Sequence, residues 1–233
     1  MKRFHALALA AAALAAPLAL ASVPGSAVAQ AQRDWSRTIV ATPEGGFRMG
    51  NPAAPVRVVE YVSLTCPHCR AFSLGGETQL VDRYVRTGQV SFEIRSFPLD
   101  AIASMAAQLA RCAPPAHYFA LNRDILAGQE QWFARIQALS PEQLDALDRL
   151  SDAELSVRIA SIAGLDAMAI RHGIPAARVR TCLSDPAGAR RVAAIKTAGE
   201  RLGVSGTPTF IVNGRLAQNV HDWASLEPLL RRR

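Results

Sequence analysis

The sequence predicts an α/β fold in which a βαβ half and a ββα half flank a large, all-helical insertion. Three observations indicate this arrangement. Strand-like runs at residues 56–62 and 90–97 enclose helix-compatible sequence, residues 101–202 contain no convincing strand, and strand-like sequence returns at residues 209–212. Short apolar runs rich in valine are typical of buried strands, and two strands joined through a helix form a parallel pair.

Residues 1–29 have the three parts of a secretory signal peptide. Lys2 and Arg3 supply positive charge, and residues 6–21 form an apolar run. The segment Ala27-Val28-Ala29 has the small residues of a cleavage site, and we expect cleavage after Ala29. A membrane anchor is the alternative, but the apolar run is shorter than the roughly 20 residues that span a bilayer. We therefore expect a soluble protein exported to the periplasm, where disulfides can persist.

The first half of the predicted domain begins with a short hairpin at residues 35–49. The helix that follows the first strand is expected to break at Gly75 and Gly76, to resume, and to end at Gly88. Apolar residues then alternate with polar ones over residues 90–97, which predicts the second strand.

The insertion is predicted to be a series of helices cut by loops. Ser151 opens a Ser-Asp-Ala-Glu capping box, and Gly164, Gly173 and Gly203 are placed where helices would end. The chain after the insertion returns to strand, a tight Asn-Gly hairpin and a last helix capped by Asp222.

These elements predict a division of the mature chain into two domains. Residues 30–97 and 204–233 would form one discontinuous α/β domain, and residues 98–203 would form a helical insertion domain. The net charge of the whole chain is +7. Because an exported chain without a basic stripe interleaved with aromatic residues does not match a nucleic-acid-binding protein, we expect a solvated basic surface.

A C-x-x-C motif lies between the first strand and the helix that follows it, with Cys66 and Cys69 flanking Pro67 and His68. This position puts the first sulfur at a helix N-terminus, where unpaired N–H groups and the helix dipole favour an anion. Cys66 can therefore be the thiolate that attacks disulfides, and Cys69 the more buried resolving thiol. His68 can add positive charge or a hydrogen bond, and Pro67 helps to fix the turn.

A low pKa at Cys66 would set the direction of exchange. If that pKa is about 4 rather than about 8.5, the reduced form gains roughly 4 kcal/mol at pH 7. The couple then becomes about 90 mV more oxidising, and a pair tuned in this way donates its disulfide.

Other uses of the cysteines fit the sequence less well. Haem attachment requires histidine directly after the second cysteine, but residue 70 is arginine, and zinc would require a second cysteine pair or close histidines. A purely structural Cys66–Cys69 bridge would close a loop too short to add much stability. We expect no metal and no cofactor. Surface or packing roles are expected for the scattered histidines, His117, His172 and His221.

Two segments carry a resemblance to a known family. The stretch VVEYVSLTCPHC, at residues 58–69, and the stretch GVSGTPTFIVNG, at residues 203–214, resemble the corresponding segments of DsbA-like thiol:disulfide interchange proteins in the thioredoxin superfamily. The resemblance covers roughly residues 45–230. It implies a thioredoxin-like fold with an all-helical insertion between the βαβ and ββα halves.

The resemblance also implies roles for individual residues. Cys66 would attack, Cys69 would resolve the mixed disulfide, and His68 would stabilise the Cys66 thiolate. Thr207 and Pro208 would form a cis peptide beside the active site, leaving the Thr207 backbone to pair with an extended substrate.

Three further residues are assigned with their alternatives. Glu60 matches a buried glutamate that relays protons to the second cysteine, although a tolerated acid at a strand end remains the alternative. Cys112 and Cys182 lie near the two ends of the helical block and are expected to form a structural disulfide, with two free buried thiols as the alternative.

The implied activity is oxidation of thiols in newly exported polypeptides. The enzyme would be reoxidised by a membrane partner, by analogy a quinone-linked protein. Residues 30–65 are too few to hold the N-terminal dimerisation domain of the family's isomerase branch, which favours a monomeric oxidase. The alternatives are a reductase or isomerase on the same fold, or a periplasmic chaperone or copper(I)-delivery module.

Overall fold

The computed structural model of the protein describes residues 33–231. The predicted signal peptide and its cleavage point lie outside these residues. Within them, every helix is too short or too polar to cross a bilayer.

A six-stranded mixed sheet carries the fold. The strands are β1 (Ile39–Ala41), β2 (Phe47–Gly50), β3 (Val56–Val62), β4 (Val90–Ser96), β5 (Thr209–Val212) and β6 (Arg215–Leu216). Their order across the sheet is β1-β2-β4-β3-β5-β6, and only the central pair β3–β4 is parallel among the described strands. The predicted fold class, two α/β halves separated by helices, is confirmed.

Ten α-helices accompany the sheet in the described range. They are α1 (Pro67–Leu80), α2 (Ala101–Ala110), α3 (Pro115–Ala127), α4 (Gln129–Gln137), α5 (Pro141–Leu147), α6 (Asp152–Ala163), α7 (Leu165–Arg171), α8 (Ala176–Leu183), α9 (Pro186–Arg201) and α10 (Trp223–Leu230). Eight of them, α2 to α9, lie between β4 and β5, as the sequence predicts.

The predicted break at Gly75 and Gly76 is wrong. Helix α1 runs through both glycines and continues into a π-helical turn at Val81–Val85. The reason for glycine is close packing, because a Cβ atom on Gly76 would lie 2.6 Å from the Phe72 ring and 3.1 Å from Cβ of Trp223. Gly76 therefore lets α10 approach α1 closely, and helix geometry outweighs the low helix propensity of glycine.

The predicted helix ends within the insertion agree with the structure. Ser151 and Glu154 form the reciprocal hydrogen bonds of a capping box at the start of α6. Gly164, Gly173 and Gly203 all have positive φ angles, which glycine adopts without strain. The sheet and the helical block share one cluster of buried apolar side chains. Because this shared core draws no boundary between the sheet and the insertion, the division into two domains stays a prediction.

Candidate active site

The C-x-x-C motif lies where a parallel strand delivers the chain to a helix. Cys66 is the N-cap residue of α1 and Pro67 occupies the first helical turn, where the missing N–H of proline costs no hydrogen bond. The Cys66 side chain is 5% exposed, and that of Cys69, one turn into the helix, is fully buried. Of the two cysteines, only Cys66 keeps some exposure to solvent.

The two thiols have opposite proton affinities. The Cys69 thiol and the backbone N–H groups of His68 and Cys69 donate towards the Cys66 sulfur, and with the Thr207 side chain they lower the pKa of Cys66 to about 5 against the effect of burial. Burial, the hydrogen bond to Cys66 and the charge of Glu60 raise the pKa of Cys69 well above its usual value. At neutral pH the reduced pair therefore holds one thiolate and one thiol.

Thr207 faces this pair from the other half of the domain. The Thr207–Pro208 peptide is cis, and Sγ of Cys66 lies 3.2 Å from the Thr207 carbonyl oxygen. The Thr207 hydroxyl is buried and makes no hydrogen bond to another described residue. It is therefore an available donor once Cys66 becomes an anion, since only the protonated thiol can donate to the Thr207 carbonyl.

These features match those of known proteins. A protein-family model described as thioredoxin matches residues 42–232. The chain belongs to the thioredoxin family. A crystal structure of a protein-disulfide isomerase from Novosphingobium aromaticivorans is 35% identical, with a TM-score of 0.71 and coverage of 78% of this chain and 94% of that one.

Two further relatives extend the comparison. The crystal structure of α-DsbA1 from Wolbachia pipientis shares the fold, at 24% identity, a TM-score of 0.54 and coverage of 78% of this chain and 87% of that one. A Rickettsia prowazekii protein named as a candidate protein-disulfide oxidoreductase is 30% identical over 173 residues, which is 73% of this chain and 55% of the relative. The chain thus spans about half of that relative's length. The resemblance to DsbA-like proteins is confirmed.

Glu60 of this thioredoxin-family protein is a buried acid beneath the cysteine pair. It lies in the middle of β3 and is 2% exposed. Burial, and next the negative charge of Glu77, raise the pKa of Glu60 well above its usual value, and Glu60 in turn raises that of Cys69. The structure thus brings Glu60 close enough to act on the second cysteine. Its relay role stays a prediction.

The helical block, which consists of helices α2 to α9, makes hydrogen bonds to the loop that precedes Cys66. The Gln129 side-chain amide donates to the Leu64 carbonyl oxygen at 3.0 Å, and the Thr65 hydroxyl donates to the Asp100 carboxylate at 2.6 Å. Asp100 also caps α2. Sequence reasoning missed Gln129 and Asp100. The cap at Asp100 has a sequence signal, whereas the contact between Gln129 and a residue 65 positions away has none.

A surface groove of about 410 Å³ lies beside the motif, between one face of α1 and the start of α10. His68 and Gly75 line its α1 side, and His221 and Trp223 line the other. His221 also approaches the cis-proline, with Nδ1 3.1 Å from the Pro208 carbonyl oxygen. From the sequence we expect only a surface or packing role for His221, and its position beside the candidate active site was not predicted. A role for the exposed His68 imidazole in stabilising Cys66 stays a prediction.

Cys112 and Cys182 form a disulfide in the structure. Their Cα atoms are 6.3 Å apart, and the bond joins the end of α2 to α8 across 70 positions of sequence. The Gln108 amide donates to the Cys182 carbonyl oxygen at 2.7 Å beside the bond. That this disulfide has a structural role stays a prediction.

Proposed function

We propose that this protein is a periplasmic thiol:disulfide oxidoreductase that donates the Cys66–Cys69 disulfide to exported proteins. One observation carries the proposal, the unequal pair of thiols. The pKa of Cys66 is lowered to about 5 while that of Cys69 is raised. Such a pair presents a good leaving group at the more exposed cysteine, Cys66, and keeps a protonated thiol at Cys69. The 35% identity to a solved protein-disulfide isomerase supports this class of reaction.

The reaction consists of two exchanges at sulfur. A substrate thiolate attacks Sγ of Cys66, the Cys66–Cys69 bond breaks, and Cys69 takes up the electron pair and then a proton. A second substrate thiolate attacks the substrate sulfur in the mixed disulfide and releases Cys66 as a thiolate. The substrate dithiol loses two electrons and the enzyme disulfide gains them.

The low pKa of Cys66 favours this direction. A thiol with a pKa of about 5 rather than about 8.5 stabilises the reduced form by about 3 kcal/mol at pH 7, because the released sulfur stays ionised. That is about 60 mV in the potential of a two-electron couple, smaller than the value expected from a pKa of about 4.

The substrate would lie across the Thr207 backbone and the neighbouring groove. The Thr207 carbonyl oxygen is 3.2 Å from the Cys66 sulfur, so a peptide that pairs with this backbone places its own sulfur at Cys66. The groove between His68 and Trp223 offers apolar and polar contacts to flanking residues without fixing a sequence.

Oxidation of a reduced, disulfide-containing test protein by the preoxidised protein tests the proposal. We expect stoichiometric oxidation by wild type and none by Cys66→Ser. Cys69→Ala should also oxidise none of the test protein, because it cannot form the Cys66–Cys69 disulfide that supplies the oxidising equivalents. Cys112→Ala/Cys182→Ala is the matched control and should retain activity. Undiminished oxidation by Cys66→Ser would refute the proposal.

Isomerisation is the second candidate, favoured by the name of the 35% identical solved relative. The two directions differ in the reduction potential of the Cys66–Cys69 couple, measured by equilibration with glutathione. A potential near that of strong oxidants favours donation of the disulfide, and one near the isomerase range favours reshuffling.

The cellular setting forms part of the same proposal. We expect cleavage after Ala29, a monomer in the periplasm, thiol-containing exported proteins as substrates and a quinone-linked membrane protein as reoxidant. Cell fractionation with N-terminal sequencing of the mature protein tests the location.

A further inference from the structure

A stripe of buried polar side chains runs along α1 below the cysteine pair. Cys69, Ser73 and Glu77 are each four residues apart and therefore lie on one face of the helix. As whole residues they are 0%, 3% and 2% exposed. Since a buried carboxyl group is costly unless it is paired, Glu77 requires an explanation that the exchange reaction alone does not provide.

Glu77 is held by two donors. Nη2 of Arg123, on α3, donates to one carboxylate oxygen at 3.0 Å, and the Ser73 hydroxyl donates to the other at 2.9 Å. The Arg123 side chain is 39% exposed while that of Glu77 is 3% exposed. Burial has the largest effect and leaves the pKa of Glu77 above its usual value, although Arg123 and Ser73 both lower it. The ion pair therefore favours a fixed negative charge beneath the active site, supplied with its counter-ion by the helical block.

Glu60 lies on the face of the sheet that α1 covers. It is opposite Phe210 in the β3–β5 register, and the Phe72 ring of α1 packs against Phe210 at 4.8 Å between ring centroids. Helix α1 therefore crosses directly over the row that contains Glu60. The charged or titratable side chains of α1 that interact with Glu60 are Cys66, Cys69 and Glu77.

The neighbouring strands add no other charge on this face. Ile94 of β4 and Phe210 of β5 are the residues opposite Glu60. Glu93 and Arg95 alternate with Ile94 and line a cavity on the other face of the sheet, together with Arg57 of β3. Glu60 and Glu77 are thus two carboxyl groups in one buried site, and only Glu77 has an arginine.

We propose that Glu77 is a positioning residue for disulfide exchange, whose charge, fixed by Arg123 and Ser73, keeps a proton on Glu60 for transfer to the Cys69 sulfur. Two like charges in one buried site disfavour each other, so the unpaired carboxyl retains its proton. The raised pKa of Glu60, to which Glu77 contributes, agrees with this geometry. The inference rests on the proposed function and names the residue that prepares its proton donor.

The proton transfer completes the first exchange step. When the substrate thiolate bonds to Cys66 and the Cys66–Cys69 bond breaks, the electron pair stays on Cys69 and the Glu60 O–H proton moves to that sulfur. Glu60 is then ionised beside Glu77, and the repulsion between them drives it to take a proton back from solvent. The enzyme disulfide is the oxidant and the substrate thiol is the reductant.

The rate at which reduced glutathione reduces the preoxidised protein, expressed per glutathione thiolate across pH, tests the inference. We expect the wild-type rate to fall as Glu60 loses its proton with rising pH. Glu77→Gln should move this fall to lower pH by about one unit, since it removes the neighbouring charge. Glu77→Asp, which keeps the charge, should restore the wild-type profile. Glu60→Gln should abolish the fall, and adding Glu77→Gln to it should change nothing further.

Glu93→Gln is the matched structural control. Glu93 is 7% exposed and pairs with Arg95 at 2.7 Å, but it faces away from the cysteines. Its substitution removes a comparable buried ion pair, and the pH profile should not move. A shift of the same size in Glu93→Gln would mean that loss of stability explains the effect, and the inference would be wrong.

A titration of the wild-type protein keeps the inference testable if Glu77→Gln does not fold. In ¹³C NMR spectra of glutamate-labelled, oxidised protein, Glu77 should ionise at lower pH than Glu60, with Glu60 assigned from Glu60→Gln. Ionisation in the reverse order, or unchanged profiles for a folded Glu77→Gln, overturns the inference. Neither outcome touches the proposed function, which fails only if Cys66 is dispensable for oxidation.

Discussion

The sulfur of Cys66 lies 3.2 Å from the backbone carbonyl oxygen of Thr207, although 141 positions of sequence separate the two residues. The contact joins the start of α1 to the residue before the cis-proline, so both halves of the α/β fold meet at the reacting atom. It also places the unpaired Thr207 hydroxyl beside a sulfur that carries charge when reduced. Groups from both halves of the fold, the start of α1 and Thr207, therefore lower the pKa of Cys66.

Thr207→Val is expected to raise the pKa of Cys66 by about one unit, because it removes a hydroxyl donor to the thiolate and keeps the side-chain shape. Absorbance of the thiolate at 240 nm across pH measures this. Thr209→Val is the control, since the Thr209 hydroxyl donates instead to the Gly206 carbonyl oxygen. An unchanged titration in Thr207→Val would show that the hydroxyl does not reach the sulfur.

The stability of the reduced protein should depend on pH through Cys66. Its pKa is about 5 in the folded state, below that of a free thiol. The stabilisation is therefore fully present above about pH 8.5 and is lost as pH falls through about 5. The free energy of unfolding of the reduced protein, relative to the oxidised protein, should rise by about 2 kcal/mol from pH 5 to pH 7.

Urea unfolding of both redox forms at several pH values up to 7.5 measures this difference. Cys69, whose pKa is raised, has the opposite sign, but its effect begins only near the ordinary thiol pKa of about 8.5. Cys66→Ser provides the control and should show much less dependence on pH than the reduced wild type. A reduced wild type that matches Cys66→Ser would contradict the low pKa.

Removal of the Cys112–Cys182 bond should destabilise the fold without stopping exchange. The bond closes a loop across 70 positions, and loss of such a bond costs about 2–4 kcal/mol. Cys112→Ala/Cys182→Ala should therefore unfold at lower urea concentration and remain active where it is folded. Alkylation of the denatured, non-reduced wild type followed by mass spectrometry should label neither cysteine; two labelled thiols would contradict the bond.

Gly75 and Gly76 should respond to alanine with opposite signs. A Cβ atom at Gly75 meets no atom within 4 Å, so Gly75→Ala should stabilise the protein by about 0.5–1 kcal/mol through helix propensity. At Gly76 the Cβ atom would overlap the buried Phe72 ring, and Gly76→Ala should destabilise by about 1–3 kcal/mol. Equal effects in thermal unfolding would rule out the packing explanation for the uninterrupted helix.

Local sequence signals predicted the elements that build the site. Alternation over residues 90–97, the position of Cys66 after a strand and the capping box at Ser151 all depend on neighbours within a few residues. Such patterns fix backbone geometry, so the strands, the helix ends and the location of Cys66 at a helix N-terminus followed from them. The same reasoning failed at Gly76, because propensity contains no information about how close another helix comes.

The sequence by itself determined the order of strands and helical segments along the chain and the position of the Cys66–Cys69 motif at the start of a helix. Each of these predictions rests on short-range periodicity or on one motif. Only the tertiary structure decided that Arg123 pairs with Glu77, that Gln129 donates to the Leu64 carbonyl oxygen and that His221 lies beside the cis-proline. These are single polar contacts between distant segments, and they leave no repeat in the chain. Their formation depends on distances of about 3 Å that packing alone fixes.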